Sequence, residues 1–243
     1  MSPPPAAAAV VHRLAPRDAA GPQTPQAAPA NEALGAPLSP AERDAMVAAA
    51  AAKIAELFDA LRIDHAGDPA TRDTPRRVAR MLVCETMRGR YDAPPALTDF
   101  ENVGGYAGLI VTGPIEVRST CAHHLMPIYG GAFVGVLPAP GGRVVGLSKY
   151  DRVVDHFASR PQTQEDLVGQ VGRHLFGATA PRGLAVRVSA VHMCKTHRGV
   201  RAGRGARMVT TAWYGEMESD RALRDEFLRE CAALERGAGP GGH

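Results

Sequence analysis

Leu184-Ala185-Val186-Arg187-Val188-Ser189-Ala190-Val191-His192-Met193-Cys194 is the passage on which the architecture turns. Its even positions carry Leu, Val, Val, Ala, His and Cys, and its odd ones Ala, Arg, Ser, Val and Met. Side chains two apart share a face of a strand, so His192 and Cys194 continue an apolar face at the strand's end. One can bind a metal while the other stands close by as an acid or base.

Upstream, Ser119-Thr120-Cys121-Ala122-His123-His124 carries matching chemistry just after the β-branched run Leu109-Ile110-Val111-Thr112. Thiolate and neutral imidazole are the ligands zinc prefers, and Cys-x-x-His is a chelating spacing. One more cysteine makes three protein ligands and leaves a fourth position for water, the pattern of catalytic rather than structural zinc. Neither Cys84 nor Cys231 has a chelating neighbour, which excludes a four-cysteine structural site. Singly, each cysteine reads as a core thiol. The joint pattern points to metal.

The 243 residues fit one domain with extensions. A formal net charge of +3 argues for neither nucleic acid nor membrane. Four unevenly spaced cysteines fit a reduced protein rather than a disulfide framework. The Pro- and Ala-rich opening lacks the basic start and long apolar core of a signal peptide, so a cytoplasmic location is expected.

Residues 1–38 are expected to be a disordered tail and 39–92 a helical region. Ser39, Pro40 and Glu42 form a capping box, followed by the stripe Met46, Ile54, Leu57, Phe58, Leu61. Thr74-Pro75 opens a second helix in the same way. Residues 93–217 form the main domain, with strands expected at 109–112, 115–120, 132–137 and 143–147, the last two joined as a hairpin through Pro138–Gly142. Ser148 with Asp151 predicts an N-cap for a helix through Phe157, and a further helix carries Leu167, Val171 and Leu175 to a stop at Gly177. A strand over Met208–Tyr214 follows the 184–194 strand. Residues 218–243 hold an amphipathic helix with Leu223, Phe227, Cys231 and Leu234 on one side. The order predicts an α+β fold with a mainly antiparallel sheet.

These residues resemble the GTP cyclohydrolase I family. The matching pieces, in order, are Thr74-Pro75-x-Arg77-Val78-Ala79, Cys121-x-His123-His124, Gly146-Leu147-Ser148-Lys149, Arg160-Pro161-Gln162-x-Gln164-Glu165, His192-x-Cys194 and Arg198-Gly199. The resemblance covers about residues 40–215, and several pieces in register are far more specific than any one. It implies a tunnelling fold (T-fold): an antiparallel sheet with helices on one side, subunits joining into a barrel, usually as a decamer of two pentamers with active sites between subunits. It places Zn2+ on Cys121, His124 and Cys194, and gives the proton transfers to His123 and His192. The substrate GTP would be held by Ser148, Lys149, Arg152 and Arg198, with Arg77 from a neighbouring subunit, while Gln164 and Glu165 read guanine. The implied reaction yields formate and 7,8-dihydroneopterin triphosphate and serves folate or another pterin pathway. One departure stands out: the family typically has glutamate where this chain has Ala122. That leaves two alternatives open, a weakened paralogue that binds GTP and a relative feeding a deazapurine or secondary pathway.

Overall fold

The computed structural model describes residues 27–203 and 205–237; the tail expectation for residues 1–26 and the chain's last six residues lie outside it. The chain enters helix α1 (Pro40–Ala60) at the expected capping box: Ser39 Oγ accepts from the Glu42 N–H, and the Glu42 carboxylate accepts from the Ser39 N–H at 2.9 Å. Helix α2 (Thr74–Met81) starts one residue early, with Asp73 rather than Thr74 as cap and no side-chain capping bond. It runs on through a π turn at Leu82–Thr86 and a 3-10 turn at Arg88–Arg90. The α1 stripe finds little cover within the chain. No α1 residue is buried, and Leu57 and Leu61 are 53% and 60% exposed.

Strands β1 (Asp99–Glu101), β2 (Ile110–Cys121), β3 (Pro127–Leu137) and β4 (Arg143–Val145) follow. The two strands expected over 109–120 are one, interrupted by a register shift between Thr112 and Ile115. Gly113 sits there at φ +144, with Ala132 O only 2.7 Å from where a Cβ would stand, so no larger residue fits this kink. The expected hairpin of 132–137 with 143–147 does not form. β3 pairs with β2, and β4 pairs instead with β1 in a separate two-stranded ribbon. Local turn residues cannot reveal this, because β3 lies between two long strands that bury it on both sides.

Helix α3 (Leu147–Ala158) begins at Leu147 with Gly146 as cap, so Ser148 lies inside the first turn and is no N-cap. A short strand β5 (Pro161–Gln162) runs parallel to the end of β2 and leads into helix α4 (Gln164–Thr179). That helix is capped by Thr163, whose side chain accepts from the Asp166 N–H, and it runs past Gly177 to a left-handed Ala180. Strand β6 (Gly183–His192) keeps the predicted alternation but stops at His192. Cys194 lies in the helical turn α5 (Met193–Thr196) rather than in the strand. Strand β7 (Arg207–Gly215), the turn α6 (Glu216–Ser219) and helix α7 (Arg221–Gly237) complete the chain.

The main sheet has the order β5-β2-β3-β6-β7 and is antiparallel except for the β5–β2 pair. Even-numbered β6 residues (Leu184, Val186, Val188, Ala190) pack with Val153, Val154, Leu167, Val171 and Leu175 of α3 and α4. Odd-numbered Ala185 packs the other way, with Phe133, Met217, Phe227 and Cys231. Helices therefore cover both faces, not one: the predicted stripe of α7 buries Phe227 and Cys231 opposite α3 and α4.

Residues 27–38, assigned by composition to the tail, are fastened to this body. The Leu34 and Leu38 N–H groups donate to Arg90 O and Tyr91 O at 2.9 and 3.0 Å. Asn31 O accepts from Gln170 Nε2 at 2.8 Å and from the buried Arg160 Nη1 at 3.1 Å.

Candidate metal and nucleotide site

Three elements end at one corner of the sheet. β2 finishes at Cys121, whose N–H donates to Met126 O at 2.8 Å while its own carbonyl accepts from Leu125 N–H at 2.9 Å. The resulting turn, with Leu125 at φ +53, holds His123 and His124 outside the sheet. β5 pairs Gln162 with Cys121, which brings the first residues of α4 to the same corner. β6 ends with His192 opposite Ile128, and the α5 turn folds Cys194 back towards Cys121.

The outcome is a three-donor cluster: one ligand atom each from Cys121, His124 and Cys194 lies within 4.8 Å of the others. Donors sharing one tetrahedral zinc, at about 2.3 Å for sulfur and 2.1 Å for nitrogen, stand roughly 3.5–4 Å apart. The cluster therefore needs only a small contraction to hold an ion. Its electrostatics point the same way. Burial raises the Cys194 pKa, and the Cys121 thiol beside it raises it further, against an opposing pull from Arg198. A divalent cation bound between the two sulfurs would reverse that penalty on the Cys194 thiolate. The donor set fits a metal.

The two remaining histidines flank it. His123 Nδ1 lies 3.7 Å from Cys121 Sγ. His192 Nε2 lies 2.8 Å from Gln164 Oε1. Burial lowers the His192 pKa, the Glu165 carboxylate pulls it back up, and Lys195 adds to the lowering. Gln164 is almost wholly buried, and its carboxamide nitrogen is taken by Val188 O, Met208 O and Thr210 Oγ1. Glu165 beside it is exposed. The sequence marked Gln164 but not this inward use, since a glutamine opening a helix carries no local sign of which way it turns.

The expected phosphate ligands are not all here. Arg198 is close enough to act on Cys194. Ser148, Lys149 and Arg152 belong to the first half of α3, whose far end leads through Arg160 to β5 and the metal corner. Nine residue steps along the helix separate Lys149 from Ala158, about 14 Å at 1.5 Å per step. Arg77 is exposed on α2, 3.5 Å from Asp73. A cavity of about 690 Å³ lined by Tyr129, Phe133, Arg207 and Glu235 lies on the α7 side of the sheet and includes none of these residues. One chain thus gathers the metal donors, both histidines, Gln164, Glu165 and Arg198, and holds the other cations elsewhere.

Fold and site define a class: an α+β protein whose sheet carries, at one corner, a Cys–His–Cys group able to hold a metal beside two further imidazoles. The model of one protein family, GTP cyclohydrolase I, matches residues 50–232. The chain is 43% identical over 174 residues to a protein of Maricaulis maris named GTP cyclohydrolase 1, covering 69% of this chain and 82% of that one. Proteins of the same name match from Brucella anthropi (43% over 169 residues, 67% and 78% covered) and Streptomyces griseus (41% over 157 residues, 65% and 77% covered). The chain belongs to the GTP cyclohydrolase I family and is an enzyme of it, a GTP-binding hydrolase. No helix among the described residues is long and apolar enough to cross a membrane.

Proposed function

We propose that this chain converts GTP and water to formate and 7,8-dihydroneopterin triphosphate, in the cytoplasm, at the corner built by Cys121, His124 and Cys194. The observation that carries the reading is the convergence of those three donors with His192 and His123 in a chain of this family. Zinc held by the three residues would supply a water acidic enough, near neutral pH, to hydrolyse the purine at C8. The protein's own groups do the rest. His123, exposed at the rim, delivers a proton to the ring at N7, and His192 moves protons at the hydrolytic oxygen. Glu165 accepts from the ring N–H and exocyclic amine of guanine, donors that adenine lacks, so adenine is rejected.

Triphosphate requires cations, and Lys149, Arg152, Arg198 and Arg77, with the Ser148 hydroxyl, supply them. Because α3 holds its share a helix length from the metal corner, the complete site forms between copies. The bare apolar stripe of α1 supports an assembly too, as do the outer edges of β7 and β2, which find no strand partner among the described residues beyond β6, β3 and β5. A barrel of T-fold subunits, as a decamer of two pentamers, meets all three demands.

A second reading rests on Ala122, which stands exposed between Cys121 and His123 where the resemblance expects a carboxylate. It makes the chain a weakened GTP-binding relative, or one whose product goes to a secondary pathway. Formate release from GTP by zinc-replete protein, followed with the ultraviolet spectrum of the product, separates the readings. Formate with dihydropterin supports the first. Metal and GTP bound without formate supports the second.

A further inference from the structure

Gln164 makes four contacts with its one carboxamide, and together they decide the orientation of that group. Nε2 lies 3.1 Å from Val188 O, 3.1 Å from Met208 O and 3.0 Å from Thr210 Oγ1. Two of these are backbone carbonyls, which only accept. The flipped amide would turn Oε1 onto both of them, so the nitrogen must face the strands. The oxygen is then the atom 2.8 Å from His192 Nε2, and it too can only accept. His192 therefore carries its hydrogen on Nε2.

We infer that Gln164 is a positioning residue, which locks His192 in the Nε2–H tautomer and leaves Nδ1 as the nitrogen that exchanges protons with the reaction. The lock is rigid. Gln164 opens α4 behind the Thr163 cap, is 1% exposed, and ties that helix to β6 and β7 at once. Val188 and His192 sit on the same face of β6, so one side chain fixes both the strand beneath the imidazole and the ring. Losing the hold on a proton-transfer group forfeits part of the roughly 10²–10⁴-fold that such a group contributes. The inference rests on the proposed function for its kinetic consequence, not for the tautomer.

Ring-15N-labelled histidine in sedimented native protein, with His192→Gln used to assign the signal, reads the tautomer without any turnover. An Nε2–H signal is expected, and an Nδ1–H signal overturns the inference. Gln164→Met then keeps its metal and its KM for GTP while kcat falls roughly 10–100-fold. If instead kcat holds while KM rises, or hypoxanthine nucleotide becomes a substrate, Gln164 reads the base and positions nothing. Absence of formate from the native protein would remove the proposed function and leave the tautomer result standing.

Discussion

At the residue scale the proposed function separates binding of metal from movement of protons, and substitution should separate them too. Cys194→Ala removes one of three donors and leaves two, so zinc measured after dialysis is expected to fall to background, and formate release with it. His192→Ala touches no donor. Zinc content should stay at one per chain while turnover drops by about 10²–10⁴-fold, the usual worth of a proton-transfer group. Loss of zinc from His192→Ala would reverse the assignment of ligand and acid–base roles. A candidate metal site was legible in the sequence because thiols and imidazoles at short spacing are rare; which of the adjacent histidines would ligate was not, and came only with the resemblance. The inward turn of Gln164 was not, since it depends on where Val188 and Met208 place their carbonyls.

At the element scale, alternation and capping carried β6, α1 and the stripe of α7. What they could not carry was pairing. Nothing in 132–147 tells β3 to lie between β2 and β6 rather than fold back on β4, and the Ser148 hydroxyl resembles a cap until Gly146 is seen to hold that place. The face taken by α7 was equally hidden, because a stripe states that it is buried and not against what. There Phe227 meets Trp213 edge-on with 5.6 Å between ring centres, and its ring fills the space above Gly135. Phe227→Ala should cost about 3–5 kcal/mol in urea denaturation, with zinc still bound by the protein that remains folded.

Helix α3 carries a second element-scale prediction. His156 is buried between Arg160 and Arg88, and burial first, then those cations, lower its pKa to about 4. The unfolded chain takes up this proton near pH 6.5 and the folded chain only near 4, so stability falls as the pH drops between those values. Between pH 7 and 5 the loss is about 2 kcal/mol. His156→Gln keeps an acceptor for Arg160 and should flatten the difference between urea midpoints at the two pH values; an unchanged slope would mean that other groups set it.

At the scale of the whole molecule, the proposed division of the site between copies makes a prediction no single-chain variant can test. Lys149→Ala and Cys194→Ala disable different halves, so each alone should be inactive. Expressed together they should form mixed assemblies in which some interfaces unite an intact metal corner with an intact α3, and formate release should return in part. Two inactive proteins that stay inactive when co-assembled would place both halves in one copy.

Asn31 has a consequence for how the chain can be shortened. Its carbonyl is the anchor point for Gln170 and for one arm of Arg160, a cation that has no carboxylate partner among the described residues. A chain that began after Asn31 would strip Gln170 of that acceptor and cost the guanidinium one of its bonds, leaving it those to Gly89 O, Gln170 Oε1 and His156 Nε2. The body of the protein is therefore gripped well ahead of the first helix, by the Asn31 oxygen together with those of Ala28 and Pro29, which accept from Arg90.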